Sequence, residues 1–299
     1  MSKAPTTSHK EKSRLTKEEW REYTKTVWHI ANTSHPGHPA VYPVEIPRRL
    51  IKLFSFHGET VLDPFAGTGT TAQAGIPLGR KVVCVDQNPK YVRLIQSECG
   101  QLRNGTLTAA KLLHVVHGDS RDLRTLENDS VSLIVTSPPY WNKADYGSGK
   151  ANIGNVDGYR EFLRAIRPVF EECFRVLQPG RKLCLVTANV NQHTDHGLLT
   201  FPLAADFGVL LRDCGFVLVT EIVWSKDGTG GRWGSANAQR PIFGSYPYPP
   251  NFLFKNVHEY IVVVSKPPAK RSKGPKVKAL RDIMHDSGTE LPHRIAAIK

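Results

Sequence analysis

The chain has 299 residues, 40% of them hydrophobic, which suits one large core, alone or with a small appendage, rather than two independent domains. Its 40 Lys and Arg against 27 Asp and Glu give a formal charge of +13, which favours a polyanionic partner because neutralising phosphates releases condensed counterions. The five cysteines (Cys84, Cys99, Cys173, Cys184, Cys214) show no CxxC spacing and no clustered histidines, which argues against a disulfide framework and against any zinc or other metal site.

Residues 1–14 are polar and basic without periodic apolar positions, and residues 1–25 as a whole are expected to be a mobile basic segment ahead of one domain spanning 26–266. No stretch approaches the roughly 18 consecutive apolar residues needed to span a bilayer, and the N-terminus lacks a signal-like apolar run, so a cytoplasmic protein without membrane contact is expected. An X-Pro turn at His38-Pro39 leads towards an amphipathic helix through Arg48 to Ser55. From Glu59 onward, short apolar runs alternate with longer amphipathic ones, the pattern of an α/β fold with a parallel sheet covered by helices on both faces. Thr60 to Leu62 is a strand ending at Asp63, a loop with Gly67 and Gly69 follows, and Ala72 to Leu78 begins a helix. Lys81 to Val85 is the next strand, closed by Asp86, and Asn88-Pro89 starts a helix that continues through Tyr91 to Cys99. Further strands are expected at 113–116, 131–135, 182–186, 217–224 and 260–264. Phe162, Ile166, Val169, Phe170, Cys173 and Val176 mark one face of a helix over 158–177, which Gln178-Pro179-Gly180 should end; 203–214 is a second helix candidate. The stretch 227–256, rich in Gly, Pro, Ser and aromatics, is expected to be a functional loop, and 267–299 a basic C-terminal tail.

A strand ending in an acid, Gly-x-Gly opening a helix, and a second strand ending in Asp86 form an arrangement that can hold an adenosine-bearing cofactor. The glycines let backbone approach the ligand, and Asp86 can accept hydrogen bonds from two ribose hydroxyls. A plain strand-to-helix turn uses the same glycines. The third glycine of the dinucleotide pattern and the Gly-Lys-Ser/Thr of a phosphate loop are both missing, so phosphate is not the obvious ligand.

The loop Asp63-Pro64-Phe65-Ala66-Gly67-Thr68-Gly69-Thr70-Thr71 resembles the cofactor loop of the amino-directed (N4-cytosine or N6-adenine) DNA methyltransferases. His38-Pro39-Ala40-Val41-Tyr42-Pro43 is similar to the family segment that caps the same pocket, and Ser137-Pro138-Pro139-Tyr140 to its catalytic tetrapeptide of Ser-Pro-Pro-Tyr type. Trp224-Ser225-Lys226, Gly244-Ser245-Tyr246 and the stretch from His258 to Lys266 resemble its late strands, so the likeness covers about residues 26–266. The resemblance implies a Rossmann-like S-adenosylmethionine-dependent fold with a mostly parallel seven-stranded sheet. It also implies that Asp63, Phe65, Gly67, Thr68, Gly69, Thr70, Asp86 and Pro39 hold S-adenosylmethionine, with Asp119 at its adenine ring. In the commonest cytosine subgroup the catalytic segment precedes the cofactor loop. Here the order is reversed, a permutation that leaves a site intact when the termini lie close together.

An exocyclic amine shares its lone pair with the ring and becomes nucleophilic only when both its hydrogens find acceptors on one side. On the resemblance, Ser137 Oγ and the Pro138 carbonyl supply them, with Pro138 and Pro139 fixing the backbone. Tyr140 stacks on a base flipped out of the duplex, and Trp141 widens that platform. The Ser-Pro-Pro-Tyr form favours the N4 amine of cytosine, with N6 of adenine as the alternative and an inactive DNA-binding relative as a second. No cysteine follows a proline, which argues against methylation at ring carbon 5. Double-stranded DNA is the expected substrate, a cognate restriction endonuclease the candidate partner, and a monomer or homodimer the expected state. Segments 142–157 and 227–256 and the tail are candidate DNA readers. Within the second, Arg232, Trp233, Arg240 and Lys255 mix cations with rings suited to backbone contact and stacking.

Overall fold

The computed structural model describes residues 7–33, 41–141, 152–226 and 256–268. The chain starts with two short helices, α1 (Thr7–Glu11) and α2 (Lys17–Tyr23). The expectation of a mobile segment through residue 25 is therefore corrected for residues 7–25. Their order comes from polar anchors that leave no apolar period. Thr16 and Glu19 form a capping box, each side chain accepting from the other's backbone N–H at 3.1 Å. The His57 N–H donates to Ser13 Oγ at 2.7 Å, and Lys52 pairs with Glu19.

After β1 (Val27–His29) and α3 (Glu45–Phe54), the chain alternates through β2 (Thr60–Asp63), α4 (Thr70–Gly75), β3 (Lys81–Asp86) and α5 (Pro89–Cys99). A two-residue ribbon, β4 (Arg103–Asn104) with β5 (Leu107–Thr108), and the turn α6 (Ala109–Leu112) lead into β6 (Leu113–His117) and β7 (Val131–Thr136). A 3-10 turn over Ile153–Asn155 precedes the long helix α7 (Tyr159–Val176) and β8 (Leu177–Thr187). The hairpin of β9 (Val190–Thr194) and β10 (Gly197–Phe201) is followed by α8 (Leu203–Asp213), β11 (Val217–Ser225) and β12 (His258–Ser265).

Eight strands form one sheet in the order β1-β11-β12-β8-β7-β2-β3-β6, parallel except where β12 runs against both neighbours. The mostly parallel Rossmann-like α/β fold is as expected. The eighth strand is β1, whose three residues are too few to register as a run but which pairs with β11 through Val27, Trp28 and His29. Gln178-Pro179-Gly180 does not end α7 in a loop; β8 starts at Leu177, and the Gly180 N–H donates to the Lys266 carbonyl at 2.7 Å. β2 lies between β3, its successor in the chain, and β7, where the winding reverses, which is where open α/β sheets bind ligands beyond the carboxyl ends of their strands.

Strand residues alternate between the two faces of the sheet, which carry three buried clusters among the described residues, the third joining Val82 and Cys84 to Ile95 and Cys99 of α5. Leu62, Val83 and Ile134 join Phe162, Ile166, Val169 and Phe170 of α7, whereas Val61, Leu133 and Val135 join Ile46, Leu50 and Ile51 of α3 together with Trp28 and Trp224. Fully burying each large apolar side chain contributes about 1.5–3 kcal/mol, so the two faces together clamp the sheet and fix where its strand ends point. Among the described residues no helix is long and apolar enough to cross a membrane.

Candidate active site

The strand ends of β2 and β3 fold back on each other through hydrogen bonds to two carboxylates. Asp63, fully buried, accepts from the Phe65 N–H at 3.1 Å, from Thr71 Oγ1 at 2.6 Å and from Thr136 Oγ1 at 2.8 Å. Burial pushes its carboxyl up to about 6, against the three hydrogen bonds that favour the ionised form. Asp86 accepts from the Gly67 and Asn88 N–H groups, each at 2.8 Å, and burial raises its carboxyl too. Gly67 and Gly69 have φ of 50° and 86°, left-handed values that suit glycine. A Cβ on Gly69 would lie 3.0 Å from Cys99 Sγ, so the turn packs directly on α5. At the end of β6, Asp119 is clasped by the Arg121 guanidinium; burial acts to raise its carboxyl, but the hydrogen bonds and charge of Arg121 hold it below the ordinary value.

The second wall begins where β7 ends. Ser137, Pro138, Pro139 and Tyr140 follow Thr136, the residue bonded to Asp63, so one carboxylate ties the glycine loop to the proline pair. Ser137 Oγ lies 3.5 Å from the Tyr140 hydroxyl, which donates to Glu259 Oε2 at 3.0 Å. Glu259, on β12, is ion-paired with Lys226, which follows β11. The Lys226 ammonium sits 4.5 Å from the centre of the Trp224 ring, and that indole donates to the Ile30 carbonyl at 2.8 Å.

Both walls face one cavity of about 430 Å³, within the size range of small-molecule sites. It is lined by Phe65, Gly67, Thr68, Thr70, Asp86 and Asp119 on one side and by Ser137, Pro138, Pro139 and Tyr140 on the other, with Tyr42, Asn152, Lys226 and Glu259 completing it. The residues present fit an adenosyl sulfonium cofactor. Asp86 spends one backbone N–H bond on each oxygen, leaving lone pairs for two hydroxyls, and the glycine turn keeps side-chain bulk out of the way.

Three expected site residues are placed elsewhere. Asp63 and Gly69 stand behind the cavity lining and shape it. Trp141 is corrected from base platform to core. It is 8% exposed, its Nε1 donates to the Val156 carbonyl at 2.9 Å, and its ring meets Tyr159 and Phe201 edge-on at 5.1 and 4.7 Å. Pro39, Arg232, Trp233, Arg240 and Lys255 lie outside the described residues, as does almost all of 227–256 and of the tail. Sequence reasoning does not single out Lys226 and Glu259. The available signal was two opposite charges at the ends of apolar strands, each in a stretch already similar to the family's late strands.

Residues 2–97 and 131–289 match the DNA methylase family. Type II methyltransferase M.BglI of Bacillus subtilis is 38% identical over 86 residues, covering 28% of this chain and 25% of that protein. Type II methyltransferase M.MjaI of Methanocaldococcus jannaschii is 41% identical over 93 residues, covering 29% and 31%. The chain thus matches about a quarter to a third of the length of these curated relatives. A solved structure from Thermus thermophilus, provisionally described as a DNA modification methylase and complexed with S-adenosyl-L-methionine, is 32% identical, with 53% of this chain and 57% of that chain covered and a TM-score of 0.38.

Proposed function

The chain belongs to the DNA methylase family, and from that premise we propose that it is a site-specific methyltransferase carrying the methyl group of S-adenosylmethionine to the N4 amine of cytosine in duplex DNA. One observation carries the reading: the glycine loop and the Ser-Pro-Pro-Tyr segment, 66 residues apart in sequence from Thr71 to Ser137, face a single cavity. A donor and an acceptor can then meet without crossing protein, which is the condition for direct displacement.

In this reading Asp86 accepts the ribose hydroxyls, Asp119 faces the adenine ring, and Phe65 with the Gly67–Thr70 turn and Pro39 encloses the rest of the cofactor. The bound cofactor supplies an electrophilic methyl group on a sulfonium. Ser137 Oγ and the Pro138 carbonyl accept the two amine hydrogens, aiming the nitrogen lone pair along the line of transfer, while Tyr140 stacks on the flipped base. A neutral serine hydroxyl is a weaker acceptor than a carboxylate, and it is the Ser-Pro-Pro-Tyr form of the segment that favours cytosine over adenine as the target. The membership and the basic charge of +13 support duplex DNA as substrate, a cytoplasmic location and a cognate restriction endonuclease as functional partner.

The test is incubation with labelled S-adenosylmethionine and unmethylated DNA, followed by mass spectrometry of the nucleosides. N4-methylcytosine at a fixed sequence is expected. N6-methyladenine would move the target to adenine, and no methylated base from any DNA would overturn the reading.

A further inference from the structure

Tyr140 lines the cavity, and its hydroxyl has a separate engagement. That hydroxyl donates to Glu259 Oε2 at 3.0 Å, and Glu259 is held from its other oxygen by Lys226. Trp224 and Glu259 are directly opposed across the β11–β12 pair, and the Lys226 N–H donates to the Val257 carbonyl at 2.8 Å just beyond it, so backbone pairing sets both charges in place. The Lys226 and Glu259 side chains are only 9% and 16% exposed. Charges this far from water are costly unless each is matched, so the two act as a unit. Both members of the pair lie on the lining of the cavity.

The order of protons along this chain has a direction. Glu259, paired with an ammonium, is an acceptor and draws the Tyr140 proton towards itself. The Tyr140 oxygen is then left with lone pairs only, facing Ser137 Oγ at 3.5 Å. That contact is at the long limit of a hydrogen bond. With its own proton turned to Tyr140, Ser137 presents lone pairs to the cavity. A serine hydroxyl left to itself can equally donate, and a donating serine would oppose an amine that needs acceptors.

We infer that Lys226 and Glu259 are positioning residues that fix Tyr140 and, through it, orient the Ser137 hydroxyl as a hydrogen-bond acceptor for the target amine. The inference rests on the function proposed above. No proton is transferred along the chain; the bonds only select which way each hydroxyl points.

The test uses the full chain with E259Q, E259A, Y140F and the double variant Y140F/E259A, measuring kcat, KM for DNA, cofactor affinity and melting temperature. The amide of E259Q is isosteric and can donate to the Tyr140 oxygen, which reverses the chain. It should lower kcat about tenfold, the effect of one misdirected hydrogen bond, with KM, cofactor affinity and melting temperature near wild type. Y140F keeps the stacking ring and should fall by a similar factor, and adding E259A to it should cost kcat nothing further. If E259Q matched wild-type kcat, or if the E259A and Y140F losses multiplied, the orienting role would be overturned. A loss in E259A confined to melting temperature and cofactor affinity would likewise overturn it in favour of a purely structural pair. Wild type inactive on every DNA would instead overturn the function reading, so the two failures are distinct.

Discussion

The two walls of the cavity are built in opposite ways. The wall beside β2 and β3 comes mostly from one stretch, residues 63–88, joined by Asp119 from beyond β6, and its shape is held by backbone N–H groups bonded to the carboxylates of Asp63 and Asp86. The wall beside β7 is assembled from side chains far apart in the chain, with Tyr140, Lys226 and Glu259 meeting only because β8, β11 and β12 lie next to one another in the sheet. A wall of backbone accepts one ligand shape and tolerates little change. A wall of side chains can be retuned one residue at a time, which suits the half that would select a base in the proposed function.

Substitutions should separate the walls, and the largest effect belongs to a residue that adjoins the base wall without forming it. Trp141→Ala should destabilise the fold by about 3–5 kcal/mol in denaturant titration, as deletion of a buried indole does, because the ring lies in the core. If the variant were stable but lost only DNA affinity, Trp141 would belong to the platform after all. Next is the joint between the walls. The Asp63 carboxyl is raised from an ordinary 3.8 to about 6, so the folded state holds its proton where the unfolded chain has lost it. The Asp63 contribution to stability is therefore largest below pH 4, falls on the order of 3 kcal/mol as pH rises from about 4 to about 6, and is flat above that, while the carboxylates held low by cations act in the opposite sense at lower pH. Denaturation of Asp63→Asn from pH 4 to 7 should lack this slope; an unchanged slope would assign the titration to other groups.

Asp86→Ala should weaken cofactor binding about 100-fold in calorimetry, through lost hydrogen bonds to the ligand and a loosened Gly67 turn, with turnover recovering at saturating cofactor. Tyr140→Ala should do the converse, lowering kcat/KM for DNA about 100-fold with cofactor affinity near normal, since it adds to the roughly tenfold loss of the hydroxyl the loss of stacking on an aromatic ring, which contributes about 1–3 kcal/mol. Equal loss of cofactor binding in both variants would erase the division between the walls.

The same contrast explains what could be read from the sequence. Asp63 to Asp86 is a local pattern, because a strand, a turn and a helix fall in order within one unit, and the Ser137–Tyr140 segment is four consecutive residues. The helix α7 was legible because its six buried positions repeat at helical spacing. What escaped depends on distance in the chain or on polar anchoring. β1 is a strand only because β11 offers it an edge. The β9–β10 hairpin hides in a polar stretch, and the N-terminal helices rest on a capping box and a serine contact. Trp141 misled because an aromatic beside the Ser-Pro-Pro-Tyr segment looks functional; its neighbours Tyr159 and Phe201, which bury it, cannot be seen locally.

The carboxylate of Asp63 touches Thr71 on one side and Thr136 on the other, neither contact longer than 2.8 Å. On the function proposed above, it works as a spacer of fixed length between the place where a donor would rest and the place where an acceptor would arrive. Variants that change which base is chosen, by altering side chains around Tyr140, would inherit the same gap, and the separation over which a methyl group travels would stay constant while the target varied.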